Sequence, residues 1–266
     1  KLYTVLGYKN PEVAAQKVVD FEKTAAQTLI PNEKIRDANL QYNPKTLPEL
    51  KSLVKNVDLP SYLKNAGVNT DRVIIGELEY YKNLDKFLNA KNLPFIKDFL
   101  KVKLLNGSAS VLDQKLDDLQ FDFYGRTLSG QKEQRAMNKR ALSTINGVLG
   151  EAFGKLYVDK YFSAEAKAEM VTLIDYLKKS YVQHISNLSW MSDETKTKAL
   201  DKLSKFTVKV GYPDEWKDYS KLQVLSKNEG GTLYGNLKNV ADWAYQKELD
   251  KVGKKKKKKE WGMTPQ

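Results

Sequence analysis

Apolar residues recur at steps of three and four between Ser163 and Leu188, and this spacing predicts a long helix with one apolar stripe. Ser163 is a favourable N-cap, and Glu165 places a carboxylate near the positive end of the helix dipole. The stripe comprises Met170, Ile174, Leu177, Tyr181, Ile185 and Leu188. A stripe of this length requires a partner surface in the folded protein.

A second, shorter helix is predicted after a tight break, from a cap at Ser192 to Phe206. Its apolar positions are Ala199, Leu200, Leu203 and Phe206. Val208 and Val210 then alternate with lysine, which predicts a short strand. The sequence Gly-Tyr-Pro-Asp at 211–214 predicts a turn.

Helical spacing also dominates the rest of the chain. Thr46 and Glu49 have the spacing of a capping box, which predicts a helix start, whereas 72–75 is typical of a strand. Further helices are predicted over 11–29, 58–67, 77–88, from 94 onward, and over 111–119, 130–162 and 237–252. The predicted inward face of 130–162 comprises Ile145, Leu149, Ala152, Phe153 and Leu156. The fold class is therefore mainly α, a large multi-helix domain with a few short strands.

Several residues after the long helix also match a known pattern: Leu188, Trp190, Met191, Glu194, Thr195, Lys196, Ala199 and Lys202, followed by Gly-Tyr-Pro-Asp. The combination resembles the signature of the helical N-terminal domain of neprilysin-type (M13 family) zinc metallopeptidases, in a bacterial, endopeptidase O-like form. The segments 42–50, 146–147 and 154–158 resemble the same family, and 260–265 resembles the linker before its catalytic domain. Ala141 stands where animal members carry a cysteine.

This resemblance implies the non-catalytic lobe of a two-lobed enzyme. Residues 1–253 would form a helical, substrate-gating domain that lacks its extreme N-terminus, and 254–266 a lysine-rich loop and linker toward an absent C-terminal zinc domain. The implied parent protein is a zinc metalloendopeptidase that cleaves short peptides. This segment alone is then expected to be inactive and to bind no zinc. Its implied partners are the catalytic domain of the same polypeptide and peptide substrates.

Charge leaves other functions open. The 266 residues carry a net charge of +12, half of which comes from the six lysines at 254–259. A basic helical module that binds anionic surfaces or nucleic acid is therefore the alternative, and a purely structural or adhesive module is a third possibility. Nucleic acid is not an expected partner, because spread lysine is ordinarily a solvated face. No apolar run approaches the ~20 residues of a membrane-spanning helix.

The chain has no cysteine, which excludes disulfides and thiolate zinc sites. This composition fits either a reducing compartment or a bacterial exported protein. Animal neprilysins are rich in disulfides, so the resemblance indicates a bacterial relative. A periplasmic or cell-surface location is therefore expected rather than a cytoplasmic one.

No residue is assigned a catalytic, metal-binding or cofactor-binding role. The family's zinc motif is H-E-x-x-H on a helix, but this chain contains one histidine, His184, which Ile-Ser-Asn-Leu follows. His184 lies on the stripe of the long helix and is predicted to be a core or boundary residue. Substrate-binding residues stay open: family members use an arginine of this lobe to receive a peptide's C-terminal carboxylate, but no residue here matches its motif.

Two remaining patterns have structural explanations. Helix termini and solvation explain the carboxylate pairs 117–118 and 193–194. The four tryptophans could stack on bases or sugars, but Trp190 and Trp216 flank helix ends, where burial of the ring is the commoner use.

Overall fold

The structure, a computed structural model, describes residues 1–255 and 260–262. Helices dominate the described chain, and the two strands within it are four residues long, so the prediction of a mainly α fold is confirmed. The chain divides into two compact units. The first comprises Lys1–Gln134 and Val224–Lys254, and the second comprises Arg135–Gln223 with the described part of Lys255–Gln266. Residues 256–259 of the predicted lysine loop and 263–266 of the predicted linker lie outside the described residues.

The elements of the described chain are, in order, α1 (Leu2–Val5), α2 (Pro11–Ala26), α3 (Ala38–Gln41), β1 (Asn43–Thr46), α4 (Leu47–Leu53), α5 (Leu59–Asn65), β2 (Arg72–Ile75), α6 (Leu78–Phe87), α7 (Leu93–Ser108), α8 (Gln114–Gln120), α9 (Met137–Tyr161), α10 (Ala164–Asn187), α11 (Asp193–Ser204) and α12 (Leu233–Leu249). Short 3-10 turns occupy Ala109–Val111 and Lys227–Glu229, and Phe121–Leu128 is π-helical.

The two strands form one antiparallel pair in the first unit. Asn43 of β1 lies opposite Ile75 of β2, and Thr46 lies opposite Arg72. The β-branched pattern predicts β2, and the structure confirms it. It does not predict β1, because Asn43–Thr46 contains a proline and leads directly into a helix start.

The predicted capping box begins α4. Thr46 Oγ1 accepts a hydrogen bond from the Glu49 backbone N–H at 3.4 Å, and the Glu49 carboxylate accepts one from the Thr46 N–H at 2.7 Å. The hydrogen bond from the Thr46 backbone lowers the pKa of Glu49 from its usual value. The prediction of a helix start here is confirmed.

We expect Thr46→Ala to lower the free energy of unfolding by about 1 kcal/mol, because the first turn of α4 loses its side-chain acceptor. Thr24→Ala is the control, since Thr24 lies within α2 and its exposed hydroxyl donates to the Asp20 carbonyl. Alanine favours a helix interior, so the control is expected to leave stability unchanged or slightly raised. Urea denaturation measures both, and equal losses in the two variants would contradict a specific cap.

The core of the first unit lies between α2, α4 and α6. Its most buried members are Val54, Leu84 and Phe87, which are 1%, 7% and 6% exposed. The ring of Phe21 on α2 packs edge-on against Phe87, with ring centroids 5.6 Å apart. The apolar spacing predicts Leu84 of α6 and Val240 of α12 as inward positions, and both are buried, but it does not predict the burial of Phe87.

Helix α9 of the second unit buries a different face from the one predicted. The buried positions are Glu151, Gly154 and Val158, whereas Phe153 and Leu156 are 37% and 66% exposed. The kink at Leu149, where φ is −127° and ψ is 27°, is not the cause, since Ile145 before it is also 39% exposed. Thr144 and Val148 are half-buried, so the covered face lies beside the predicted one on both sides of the kink. An apolar stripe alone does not show which face the rest of the chain covers.

Helices α10 and α11 begin at the predicted caps. The Ser163 hydroxyl accepts from the Ala166 N–H at 3.2 Å, and the Ser192 hydroxyl accepts from the Thr195 N–H at 3.3 Å. Leu203 of α11 is buried, but α10 has no buried residue along its 24 residues. No helix in the described part of the chain has the length and hydropathy needed to cross a membrane.

Five other segments differ from the prediction. The segment 207–210 contains no regular strand, because no other strand of the described chain pairs with it. The predicted helix 130–162 begins only at Met137, and 111–119 is interrupted before the cap at Asp113. Helix α2 ends at Ala26, before the predicted position 29, and α12 starts at Leu233 on a Thr232 cap, before the predicted position 237.

Candidate functional site

The described residues contain no group of three or more histidine, aspartate or glutamate side chains that could hold a metal ion. His184 lies in the last turn of α10, where it is exposed to solvent. The prediction that His184 is a core or boundary residue is therefore wrong. The physical reason is that the side of α10 that carries His184 is uncovered, since Leu177 and Tyr181 on that side are 51% and 58% exposed.

The carboxylate pairs divide into two kinds. Asp193 and Glu194 are exposed in the first turn of α11, as expected of acidic groups near a helix N-terminus. Asp118 is also exposed, but Asp117 is only 7% exposed. Solvation therefore explains three of the four carboxylates and not Asp117.

The densest set of polar and aromatic contacts in the second unit surrounds the Gly-Tyr-Pro-Asp turn. Lys167 in the first turns of α10 donates to the Tyr212 carbonyl and to Asp214 Oδ1, each at 2.8 Å. Its ammonium also lies 4.1 Å from the centre of the Tyr212 ring. The Lys167 side chain is 18% exposed, and its charge is matched by the aspartate. Lys167 therefore fastens the turn to α10.

Aromatic rings extend this cluster along the turn. The Tyr212 ring stacks on Trp216 with an interplanar angle of 5° and packs edge-on against Phe162. Lys155 of α9 lies over the other ring of the stack, 5.8 Å from the centre of Trp216. Such aromatic and cation–π contacts add stabilisation beyond the buried area. We call Lys167, Tyr212, Asp214 and Trp216 the turn cluster.

A buried carboxylate lies beside the turn cluster. The Glu151 side chain is 4% exposed and accepts a hydrogen bond from the Lys217 backbone N–H. The Lys217 ammonium lies 3.3 Å from the other carboxylate oxygen. Burial, and secondarily the negative charge of Glu151, raises the pKa of the Tyr219 hydroxyl above its ordinary value. Glu151 therefore ties the segment after the turn to α9.

Gly211 is required by the backbone at the start of the turn. Its φ is +66°, and a Cβ there would lie 2.6 Å from Cε1 of Phe162. We expect Gly211→Ala to lower the free energy of unfolding by roughly 2 kcal/mol, because the strained backbone and the ring clash act together. Gly230→Ala is the matched control: its φ is +79°, and nothing lies within 4 Å of the added Cβ.

Thermal unfolding compares the two alanine variants. Gly230→Ala is expected to lower the free energy of unfolding by about 1 kcal/mol, because only the positive φ disfavours alanine there. Equal losses at the two glycines would show that the Phe162 ring does not constrain the turn.

The turn cluster holds its segment in place and offers no reactive group. Lys167 is paired with Asp214 of the cluster, and Glu151 beside the cluster is paired with Lys217, so both charges serve structural contacts. The sequence pattern did not identify either residue as important. No local signal marks Glu151, because the sequence predicts a different inward face for α9 and the burial of Gly154 and Val158 is seen only in the structure.

The tryptophans have unlike environments. Trp190, predicted to be buried at a helix end, is 75% exposed, and that prediction is wrong. Trp216 is half-buried in the turn cluster, and Trp261 is 8% exposed with Lys209 5.9 Å from its ring centre. Trp190 follows α10 in the chain, and it is exposed like Leu177 and Tyr181 of that helix.

Comparison with known proteins identifies the family of this chain. The model of the family described as "Peptidase family M13" matches residues 1–213. The chain is 31% identical over 249 residues to the neutral endopeptidase of Lactobacillus helveticus. The aligned region covers 93% of this chain and 38% of that protein. It is 26% identical to Neprilysin-11 of Caenorhabditis elegans, over 94% of this chain and 31% of that protein.

Solved structures agree with this result. The structure of the zinc metalloprotease Zmp1 of Mycobacterium tuberculosis, in complex with an inhibitor, superposes with a TM-score of 0.84 and 32% identity. The match covers 96% of this chain and 38% of the Zmp1 chain. PepO of Lactobacillus rhamnosis has the same fold, with a TM-score of 0.82 and 23% identity over 98% of this chain and 42% of its own. The chain thus spans well under half the length of these relatives. It belongs to peptidase family M13, the neprilysin-type metallopeptidases, and carries part of their N-terminal domain.

Proposed function

We propose that this chain is the non-catalytic, substrate-restricting lobe of a zinc metalloendopeptidase that hydrolyses short peptides. One observation carries the proposal: the chain matches the M13 family over 1–213, yet its described residues contain no metal-binding group. A relative named a neutral endopeptidase and another named a zinc metalloprotease support the activity of the whole protein.

Zinc hydrolysis needs three protein ligands that converge on the metal and one open position for water. The described residues do not fit this requirement, since His184 is exposed and no acidic groups cluster beside it. The zinc ligands and the general base therefore belong to the rest of the polypeptide. No step of the bond-breaking chemistry is assigned to this chain.

What this chain contributes is a helical framework of two units, each held by its own internal contacts. A lobe can restrict substrates only if it keeps its shape when a large polypeptide approaches. Internal contacts supply that rigidity: Lys167 and Glu151 hold the turn cluster to α10 and α9, and the Phe87 core joins α2 to α6. Large substrates are excluded by this framework, and short peptides pass.

The described lysines do not favour the alternative of a basic binding module. Those on the helices commonly pair with a carboxylate one turn away, as Lys198 does with Glu194 and Lys238 with Asp242, both at 2.6 Å. Such pairs contribute no net charge to an anion-binding surface.

The proposal is tested with the full-length polypeptide and substrates that differ only in length. One cleavable sequence is presented as a short peptide and also within a long, unstructured chain. We expect kcat/KM to fall at least about tenfold for the long chain, which corresponds to about 1.4 kcal/mol in the barrier. Equal kcat/KM values would contradict the restricting role while leaving the peptidase assignment intact. Absence of any cleavage would contradict the assignment itself.

A further inference from the structure

Helix α10 has an apolar face that the described chain leaves uncovered. Met170, Leu173, Leu177 and Tyr181 follow one another at steps of three and four, and they are 43%, 49%, 51% and 58% exposed. We call these four residues the α10 face. A helix of 24 residues is about 36 Å long, so this face runs along much of its length. Apolar stripes of amphipathic helices normally pack against another element.

The side of α10 that is covered is a different one. The half-buried positions in the middle of the helix are Ile174, Lys178 and Ile185. With 3.6 residues per turn, they are centred about 75° around the helix axis from the α10 face. Helix α11 contacts α10, and Lys167 joins α10 to the turn cluster. These contacts hold the helix in place but leave the α10 face in solvent.

The exposed area of the chain indicates how much is left uncovered. The chain exposes 19983 Å². A compact monomer of 30.4 kDa exposes about 12,000 Å², and two separate compact bodies with the residue ranges of the two units would expose about 14,000 Å². The excess is therefore several thousand Å² however the units are arranged. An ordinary protein–protein interface buries about 800 Å² on each partner, so a single small contact does not account for it.

We propose that the α10 face is the surface on which the remainder of the same polypeptide packs. This inference rests on the proposed function, in which the chain is one lobe of a longer enzyme. Well over half the length of the matched relatives lies outside the match, so enough polypeptide exists to cover the face. The four residues carry no charge, which suits a dry contact within one molecule rather than a charged ligand.

The first test measures side-chain reactivity in the full-length polypeptide. Oxidation of Met170 and iodination of Tyr181 are compared in the native protein and in urea. We expect modification to be about fivefold slower or more in the native protein, since the side chains pass from half exposed to buried. Native rates near half of those in urea would match the exposure of the present chain and would overturn the inference.

The second test uses matched charge substitutions in the full-length polypeptide. The double variant Leu173→Glu with Leu177→Glu places two charges on the α10 face, and Thr172→Glu with Gln183→Glu places two on an exposed, opposite side of the same helix. We expect only the first pair to raise the reactivity of Tyr181 at least about fivefold, because it expels the packed lobe. Equal reactivity in the two variants would contradict the inference.

Zinc content and peptide cleavage by the unaltered full-length polypeptide separate the two proposals. An active zinc enzyme with a reactive α10 face would overturn this inference and leave the proposed function standing. A protected face in a protein without zinc or cleavage would do the reverse. Protection that depends on protein concentration would show that a second copy covers the face, and it would also overturn the inference.

Discussion

Phe87→Ala is expected to lower the free energy of unfolding by about 3–5 kcal/mol, the largest loss that we expect from one substitution in this chain. Phe87 is 6% exposed and belongs to the core cluster with Val54 and Leu84. Its ring packs edge-on against Phe21 and stacks on Tyr80, with ring centroids 5.6 and 5.9 Å apart. Alanine would remove both aromatic contacts and leave a cavity between α2 and α6.

Phe123→Ala is the control for this prediction. Phe123 is 50% exposed, so its removal deletes a ring of the same size without opening a buried cavity. A loss of about 1 kcal/mol or less is expected for an exposed site. Urea denaturation followed by circular dichroism measures both variants. A small loss for Phe87→Ala, similar to that of the control, would show that this cluster is not the core of the first unit.

Glu151→Ala is expected to lower the free energy of unfolding by about 3 kcal/mol, the second largest loss that we expect from one substitution. The substitution deletes the acceptor of the Lys217 backbone N–H and leaves a gap against the segment after the turn. Hydrogen bonds to charged groups contribute about 1.5–3 kcal/mol, and the gap adds to the loss. The Lys217 side chain is 45% exposed, so its ammonium can be solvated and contributes little to the cost.

Glu151→Gln separates the hydrogen bond from the charge. Glutamine has nearly the same shape and still offers an oxygen to the Lys217 N–H, so we expect a loss of about 1 kcal/mol. Thermal unfolding and amide exchange at Lys217 measure the two variants. If glutamine were as damaging as alanine, the charge and not the backbone hydrogen bond would hold this segment.

Local signals predict many of the helix starts correctly. Ser163, Ser192 and Thr46 are caps in the sequence and in the structure, where each accepts from the N–H three residues later. A cap acts within one turn, so the adjacent residues are sufficient to predict it. The apolar spacing also predicts the buried Val240 of α12 and Leu84 of α6, although it does not predict the burial of Phe87.

The wrong predictions depend on distant parts of the chain. Strand β1 forms by pairing with β2, which lies nearly thirty residues further along the chain. Val208 and Val210 have no partner strand among the residues that the structure describes. The face of α9 that is buried lies beside the apolar stripe, because distant parts of the chain decide which side of the helix they cover. None of these features has a local signal of the kind that a cap provides.

The candidate site was predicted as a motif but not as a set of contacts. The Gly-Tyr-Pro-Asp turn was identified from sequence, and Gly211 confirms it with a φ of +66°. Its anchors Lys167 and Glu151 lie tens of residues away in the chain, and periodicity does not connect them to it. The exposure of His184 and Trp190 could not be predicted, because an apolar stripe does not show which polypeptide covers it.

The most direct test of the account is the zinc content of two purified proteins, the 266-residue chain and the full-length polypeptide that contains it. We expect about one zinc ion per full-length molecule and far less than one per 266-residue chain, because the described residues provide no set of ligands. Peptide cleavage, assayed on the same samples, should follow the zinc. Stoichiometric zinc or peptide turnover in the 266-residue chain would contradict the account.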